Sequence, residues 1–181
     1  MNLGQTLITT GMLVLLIMSV FSANRMLMEI NQATYEAEAT AASATIAADL
    51  IDEILTKKFD KFSDTTGTQD PSDFSPPTTG SVEWGPSTSE RLAVGSYDTS
   101  STNNYKSRMY FNDADDYIGY VRPVTMNYIS GFTATVQVYY ISPFEPDVPL
   151  TYRSYYKKID VAVQHPLYVP TPVIYTGLAS Y

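Results

Sequence analysis

Asn112, Asp113, Asp115 and Asp116 place four oxygen-bearing side chains in the string Phe111-Asn112-Asp113-Ala114-Asp115-Asp116-Tyr117. Calcium takes about 6–8 oxygen ligands, so these four would need carbonyls or water to complete a site. The same string also suits a solvated acidic turn with Asx hydrogen bonds, in which short acidic side chains accept backbone N–H groups on the way into a strand. No complete loop signature such as an EF-hand surrounds it, and both readings stay open on sequence alone. Other chemistry is sparse. The chain has no cysteine and one histidine, which removes thiol nucleophiles, disulfides, iron–sulfur clusters and multi-histidine metal centres. His165 stands between Gln164 and Pro166 with no nucleophile motif near it, and no Walker, dinucleotide or nucleophile-elbow pattern occurs. Calcium is therefore the one cofactor to consider, and no enzymatic activity is expected. With Lys+Arg 11 against Asp+Glu 19, a net charge of -8 and scattered positive charges, nucleic acid is not an expected partner either.

The acidic string needs strands to hold it. Phe132, Ala134, Val136, Val138 and Tyr140 alternate with Thr133, Thr135, Gln137 and Tyr139. Tyr155, Lys157, Ile159, Val161 and Val163 alternate with Tyr156, Lys158, Asp160, Ala162 and Gln164. Both runs have the period of two that marks half-buried antiparallel strands. Tyr117 to Met126 is a third expected strand, with Pro123 confining it to an edge or forcing a bulge. Val82 to Trp84 and Val173 to Tyr175 are weaker strand signals. Residues 60–80, with Pro71, Pro76 and Pro77, and residues Ser96 to Asn104 have loop composition. A long loop is expected after Ile141, punctuated by Pro143, Pro146 and Pro149.

The N-terminal third is different. No charged residue precedes Arg25, and Gly11 to Phe21 is apolar almost throughout. A span of about 20 apolar residues matches a hydrocarbon core of ~30 Å. No Lys or Arg precedes the run, as a signal peptide would require, so a retained membrane-compatible helix is expected. No proline occurs between Leu3 and Phe59, and residues 33–49 are rich in alanine with Glu36 and Glu38, all strong helix formers. Leu50, Ile51, Ile54 and Leu55 recur on one helix face, Glu53 and Lys57 have the spacing of an ion pair, and Lys57, Lys58 and Lys61 would complement a helix C-terminus. The pattern predicts one helix over about residues 3–59, about 80 Å long. Three segments follow: 1–24, an apolar membrane or filament-core helix; 25–59, its amphipathic continuation; and 60–181, a β-rich head with a loop at 60–80. The fold class is α+β, with the C-terminal half of the helix packed on a small antiparallel sheet.

This order resembles the type IV pilin superfamily of pilins, minor pilins and type II secretion pseudopilins. The resemblance covers the whole chain as architecture, with its local motif in residues 1–24; the Asp-x-Asp-Asp-Tyr string at Asp113 to Tyr117 is similar to those of many prepilin-type proteins. In that family a leader ends in glycine, and the mature chain has glutamate at its fifth position. Here either Met1 is the mature first residue and Gln5 occupies the glutamate position, or Met1 to Gly4 is a short leader and Thr9 does. The first alignment is preferred, and in both the glutamate is absent, which removes the carboxylate that would meet a neighbour's N-terminal amine.

The resemblance implies a structural filament subunit, a homo-oligomer in helical array whose N-terminal helices bundle through Met1, Gln5, Leu7, Ile8, Gly11, Leu13, Leu15, Leu16, Ile17, Val20 and Phe21. Ala37 to Ala48 would let neighbouring helices approach closely. Before assembly the same segment would sit in the inner membrane, with a prepilin peptidase, a platform protein and an ATPase as assembly machinery. The filament would lie at the cell surface and serve adhesion or motility. Alternatives are a minor pilin or secretion pseudopilin, and a bitopic membrane-anchored β domain. Of the fifteen tyrosines only Tyr35 lies in the long helix, which argues against an aromatic relay along a filament axis.

Overall fold

The computed structural model describes residues 2–63, 70–78, 84–90, 98, 105–126 and 128–181. Met1, residues 82 and 83 of the weak strand signal, and all of the Ser96–Asn104 loop except Asp98 lie outside the described residues. The described chain forms two compact units, Met1–Glu38 and Ala39–Tyr181. A single helix, α1, runs through Leu3–Leu55. Within the second unit its buried side chains are Ala39, Ala42, Ser43, Ile46, Ala47, Leu50 and Ile54, a three-and-four spacing that draws one stripe along the helix. Leu55 falls off that stripe and is exposed. Ala39, Ala42 and Ala47 thus serve the chain's own core, where the sequence suggested contacts between neighbouring helices.

The helix stops at Leu55, short of the expected residue 59, because the backbone is needed elsewhere. Lys58 N–H donates to the Asn112 carbonyl at 3.2 Å and Ala114 N–H donates to the Lys58 carbonyl at 3.0 Å. Lys58 therefore pairs with the acidic string as a parallel bridge and cannot continue the helical ladder. No basic residue occupies the last helical turn, so the expected lysine complement to the helix end is absent.

The sheet contains β1 (Val121–Met126), β2 (Ile129–Ser142), β3 (Glu145–Pro149), β4 (Tyr156–His165) and β5 (Val169–Ser180). All pairs are antiparallel in the order β1-β2-β4-β5, with β3 folded back on the end of β2. Pro123 lies on the edge strand β1, whose register shifts between Val124 and Thr125. The strand begins at Val121 rather than Tyr117 because Asp115–Tyr117 form a 3-10 turn. The expected proline-rich loop is instead a short hairpin in which Ile141 opposes Pro149 and Ser142 opposes Glu145. Because β3 is exposed along its length, prolines are tolerated there.

Register then decides the core. Ala134 opposes Val163, Val136 opposes Val161, Val138 opposes Ile159 and Tyr140 opposes Lys157, all on the face that meets α1 and the turn residues Phe111, Tyr117 and Tyr120. Phe59, Phe74 and Tyr140 form a second aromatic cluster, with Trp84 stacked on Tyr140 at 4.9 Å between ring centroids. Helix and sheet approach closely at Gly177 of β5, where a Cβ would lie 2.6 Å from Cγ2 of Ile51. Gly177→Ala is therefore expected to destabilise the head by about 1–3 kcal/mol. Urea unfolding followed through Trp84, the single tryptophan, reads this out. Adding Ile51→Ala to the same chain relieves the clash and recovers part of the loss; additive losses would place the strain elsewhere.

Candidate functional site

Three groups of residues carry the molecule's unusual chemistry. The first is the N-terminal stretch of α1. Gln5, Leu7, Ile8, Gly11, Leu13, Leu15, Leu16, Ile17, Val20 and Phe21 are all exposed, Leu15 at 68% and Phe21 at 71%. Among the described residues, α1 is the one helix long and apolar enough to cross a membrane. Its threonines turn inward on the backbone: Thr9 Oγ1 donates to the Gln5 or Thr6 carbonyl at 3.0 Å, and Thr10 Oγ1 donates to that of Thr6 at 2.7 Å. The hydroxyls are thereby satisfied within the helix, which suits an apolar surrounding. An uncharged surface of this extent marks an interaction site.

The second group is centred on Glu53, on the last turns of α1. Its Oε1 accepts from Arg122 at 2.7 Å, Ser107 Oγ at 2.9 Å and the Tyr117 hydroxyl at 2.9 Å, while Oε2 accepts from Arg108 Nε at 2.8 Å. The expected partner Lys57 instead donates to the Arg108 carbonyl at 2.9 Å. Arginine wins because Arg122, itself buried, has no water to satisfy its fork. Its guanidinium lies over the Tyr105 ring at 3.9 Å and its Nε donates to the Tyr120 hydroxyl at 2.9 Å. Burial alone would raise the Glu53 carboxyl; Arg122 first, then Arg108 and Tyr117, outweigh it and hold it below its ordinary value of 4.5.

The third group is the acidic string. Asp113, Asp115 and Asp116 are each at most 2% exposed, so the turn is not the solvated one that its composition suggests. It is nonetheless an Asx structure. Asp113 Oδ1 accepts from the backbone of Asp115 at 3.1 Å and Asp116 at 3.2 Å, and Asp116 Oδ2 accepts from that of Asn112 at 2.8 Å and Asp113 at 3.3 Å. Asn112 donates from its side chain to Glu90. Among the described residues no group of three or more His, Cys, Asp or Glu is arranged to hold a metal.

Asp115 turns instead to Lys157. The lysine is completely buried, its Nζ 2.7 Å from Asp115 Oδ1, 3.3 Å from Asp60 Oδ2 and 2.6 Å from the Phe59 carbonyl. Asp60 is also fully buried and accepts from Ser75 N–H at 2.9 Å and Phe62 N–H at 3.1 Å. Burial, reinforced by the charges of Asp115 and Asp116, pushes the Asp113 carboxyl up to about 9. Burial likewise raises Asp115, against the pull of Lys157, and takes Asp116 to about 6. In the sequence, Lys157 is in phase with Ile159, Val161 and Val163. That phase is the signal by which a buried lysine could have been found. Asp60 carried no such signal, since its burial depends on chain folding back across Tyr140.

His165 is a structural residue. Its Nδ1 accepts from Leu167 and Tyr168 N–H groups at 3.2 Å, which leaves Nε2 to donate to the Ser130 carbonyl at 3.0 Å.

No family model matches the chain, and no curated protein or solved structure matches it.

The Glu53 hub yields a pH-dependent expectation. Glu53→Gln leaves Arg122 buried without its counter-charge and should cost about 3 kcal/mol at pH 7. A carboxylate held below 4.5 contributes fully above that pH and loses its contribution as pH falls through the lowered folded value. The stability gap between wild type and variant should therefore be widest at neutral pH and close in acid, measured by urea midpoints across the range. A gap that widens in acid contradicts the assignment.

Proposed function

We infer that the protein is a structural subunit of a type IV pilus-like extracellular filament. The observation that carries this reading is the run of exposed, uncharged apolar residues on α1, in a helix whose later turns belong to the folded β head. Such a surface is unstable in water, at about 25 cal/mol per Å² of apolar area left exposed. In this reading it is covered by lipid while the subunit waits in the inner membrane and by identical helices once it polymerises. Gly11 and small residues such as Ser19, Ser22 and Ala23 allow helices to approach closely. The head, with its acidic excess, faces water. A prepilin peptidase, a platform protein and an ATPase are the machinery such a subunit needs. The protein has no enzymatic role, and its place is the cell-surface filament.

A bitopic membrane-anchored β domain is the second reading. It is favoured by the burial of Ala39, Ala42 and Ala47 within the head, which gives these three alanines a role without any neighbouring helix. The two part on the fate of the apolar stretch. Electron microscopy of the purified full chain should show helical filaments, and Leu15→Asp or Leu16→Asp should abolish them while shifting head stability by less than about 0.5 kcal/mol. Residues 25–181 alone should form none. Filaments formed by the Asp variants or by the truncated chain would refute the role assigned to this stretch, and a wild-type chain that stays monomeric in lipid would favour the anchor.

A further inference from the structure

The ammonium of Lys157 sits in a chemical setting that exceeds what an ion pair needs. Two carboxylates, Asp115 at 2.7 Å and Asp60 at 3.3 Å, flank it with no solvent exposure on the lysine or Asp60 and 1% on Asp115. A third carboxyl, Asp113, shares a hydrogen bond with Asp115. The Phe59, Tyr140 and Trp84 rings lie 4.6, 5.1 and 5.3 Å from Nζ and wall off water. One ammonium cannot neutralise three buried carboxylates, so the cluster retains at least one carboxyl proton. A lysine nitrogen, a carboxylate whose oxygen lies 2.7 Å from it, a base and an acid are thus held together in a dry pocket. This is the arrangement that intramolecular amide formation requires.

We propose that Lys157 and Asp115 join through an isopeptide bond, formed within the chain once the head has folded. Asp60 takes one proton from the ammonium and frees the Nζ lone pair. Asp113, whose carboxyl is raised to about 9 and so holds its proton near neutrality, passes that proton to Asp115. Nζ attacks Cγ of the neutral Asp115 carboxyl, the N–Cγ bond forms and one Cγ–O bond breaks. The departing oxygen leaves as water with the hydroxyl proton and a second proton from nitrogen. The cluster then holds a neutral amide, a protonated Asp60 and an ionised Asp113, with charge unchanged and no oxidant or reductant consumed. Water exclusion drives the condensation forward, and Nζ already lies 2.7 Å from the carboxylate whose carbon it attacks.

The bond would close a loop across 42 residues in a chain that has no cysteine to form a disulfide. It would tie the acidic turn to β4 covalently, a staple that, on the filament reading, suits a small head displayed outside the cell.

Peptide mapping of the full chain purified in detergent, with mass spectrometry of the denatured digest, tests this. The expected result is a branched peptide joining the Asp115 segment to the Lys157 segment, lighter than the sum of the two by one water. Lys157→Met and Asp115→Ala should each abolish it. Asp113→Ala should reduce it strongly, in a variant whose Trp84 fluorescence confirms a folded head. Unlinked Asp115 and Lys157 peptides from folded wild-type chain would overturn the proposal. A water loss confined to one peptide, as an aspartyl imide gives, would overturn it as well. Full cross-linking in Asp113→Ala would remove that residue from the proton path and refute the mechanism as written.

Discussion

A lysine in the core is the constraint around which the head is arranged. Lys157 shares the inward phase of β4 with Ile159, Val161 and Val163, and cannot leave it without turning those three outward. An unpaired ammonium there would cost several kcal/mol, so the surrounding segments must bring oxygens to it. The chain leaving the helix supplies the Phe59 carbonyl and Asp60, and the turn before β1 supplies Asp115. Those segments are remote from one another in sequence, and the buried charge ties them into one place. The acidic string is acidic in part because a positive charge lies beneath it.

Glu53 does the reciprocal work on the helix. It brings a negative charge to the packed side of α1 and collects Arg122 from β1, Arg108 and Ser107 from the short helix Lys106–Tyr110, and Tyr117 from the 3-10 turn. Apolar burial is non-directional, so hydrogen bonds of fixed geometry define the position of α1 along its axis more sharply than burial alone. Four directional bonds to a single carboxylate set the position along that axis, and the contact between Gly177 and Ile51 sets the distance. The side-chain hydroxyl of Tyr140, near Asp60 at 3.3 Å, joins the aromatic cluster to the lysine site.

This bracing has a functional sense in the filament reading. In that reading, a pull on the apolar stretch would reach the head through α1, whose later turns are packed in it. The link between helix and head is then the place where rupture matters. Charged and hydrogen-bonded contacts at that link resist sliding, while the apolar stretch is left to adapt to lipid or to other helices, where non-directional burial suffices.

The amino-acid sequence by itself determined the types of the long helix and the two central strands. The charge-free, proline-free N-terminus could only be a helix seeking apolar cover, and the two alternating runs could only be strands with one buried face, because periodicity is a local property of the chain. Pro123 likewise announced an edge strand. Pairings were not legible, because they depend on which distant segments meet. Glu53 chose Arg122 over its helical neighbour Lys57, the prolines after Ile141 became a hairpin, and Ala39, Ala42 and Ala47 of α1 served the head's own core. The acidic string looked solvent-facing because clustered polar side chains normally are; only the fold, by placing the buried Lys157 against Asp115, gave the three aspartates a reason to be inside, while Asn112 stays exposed.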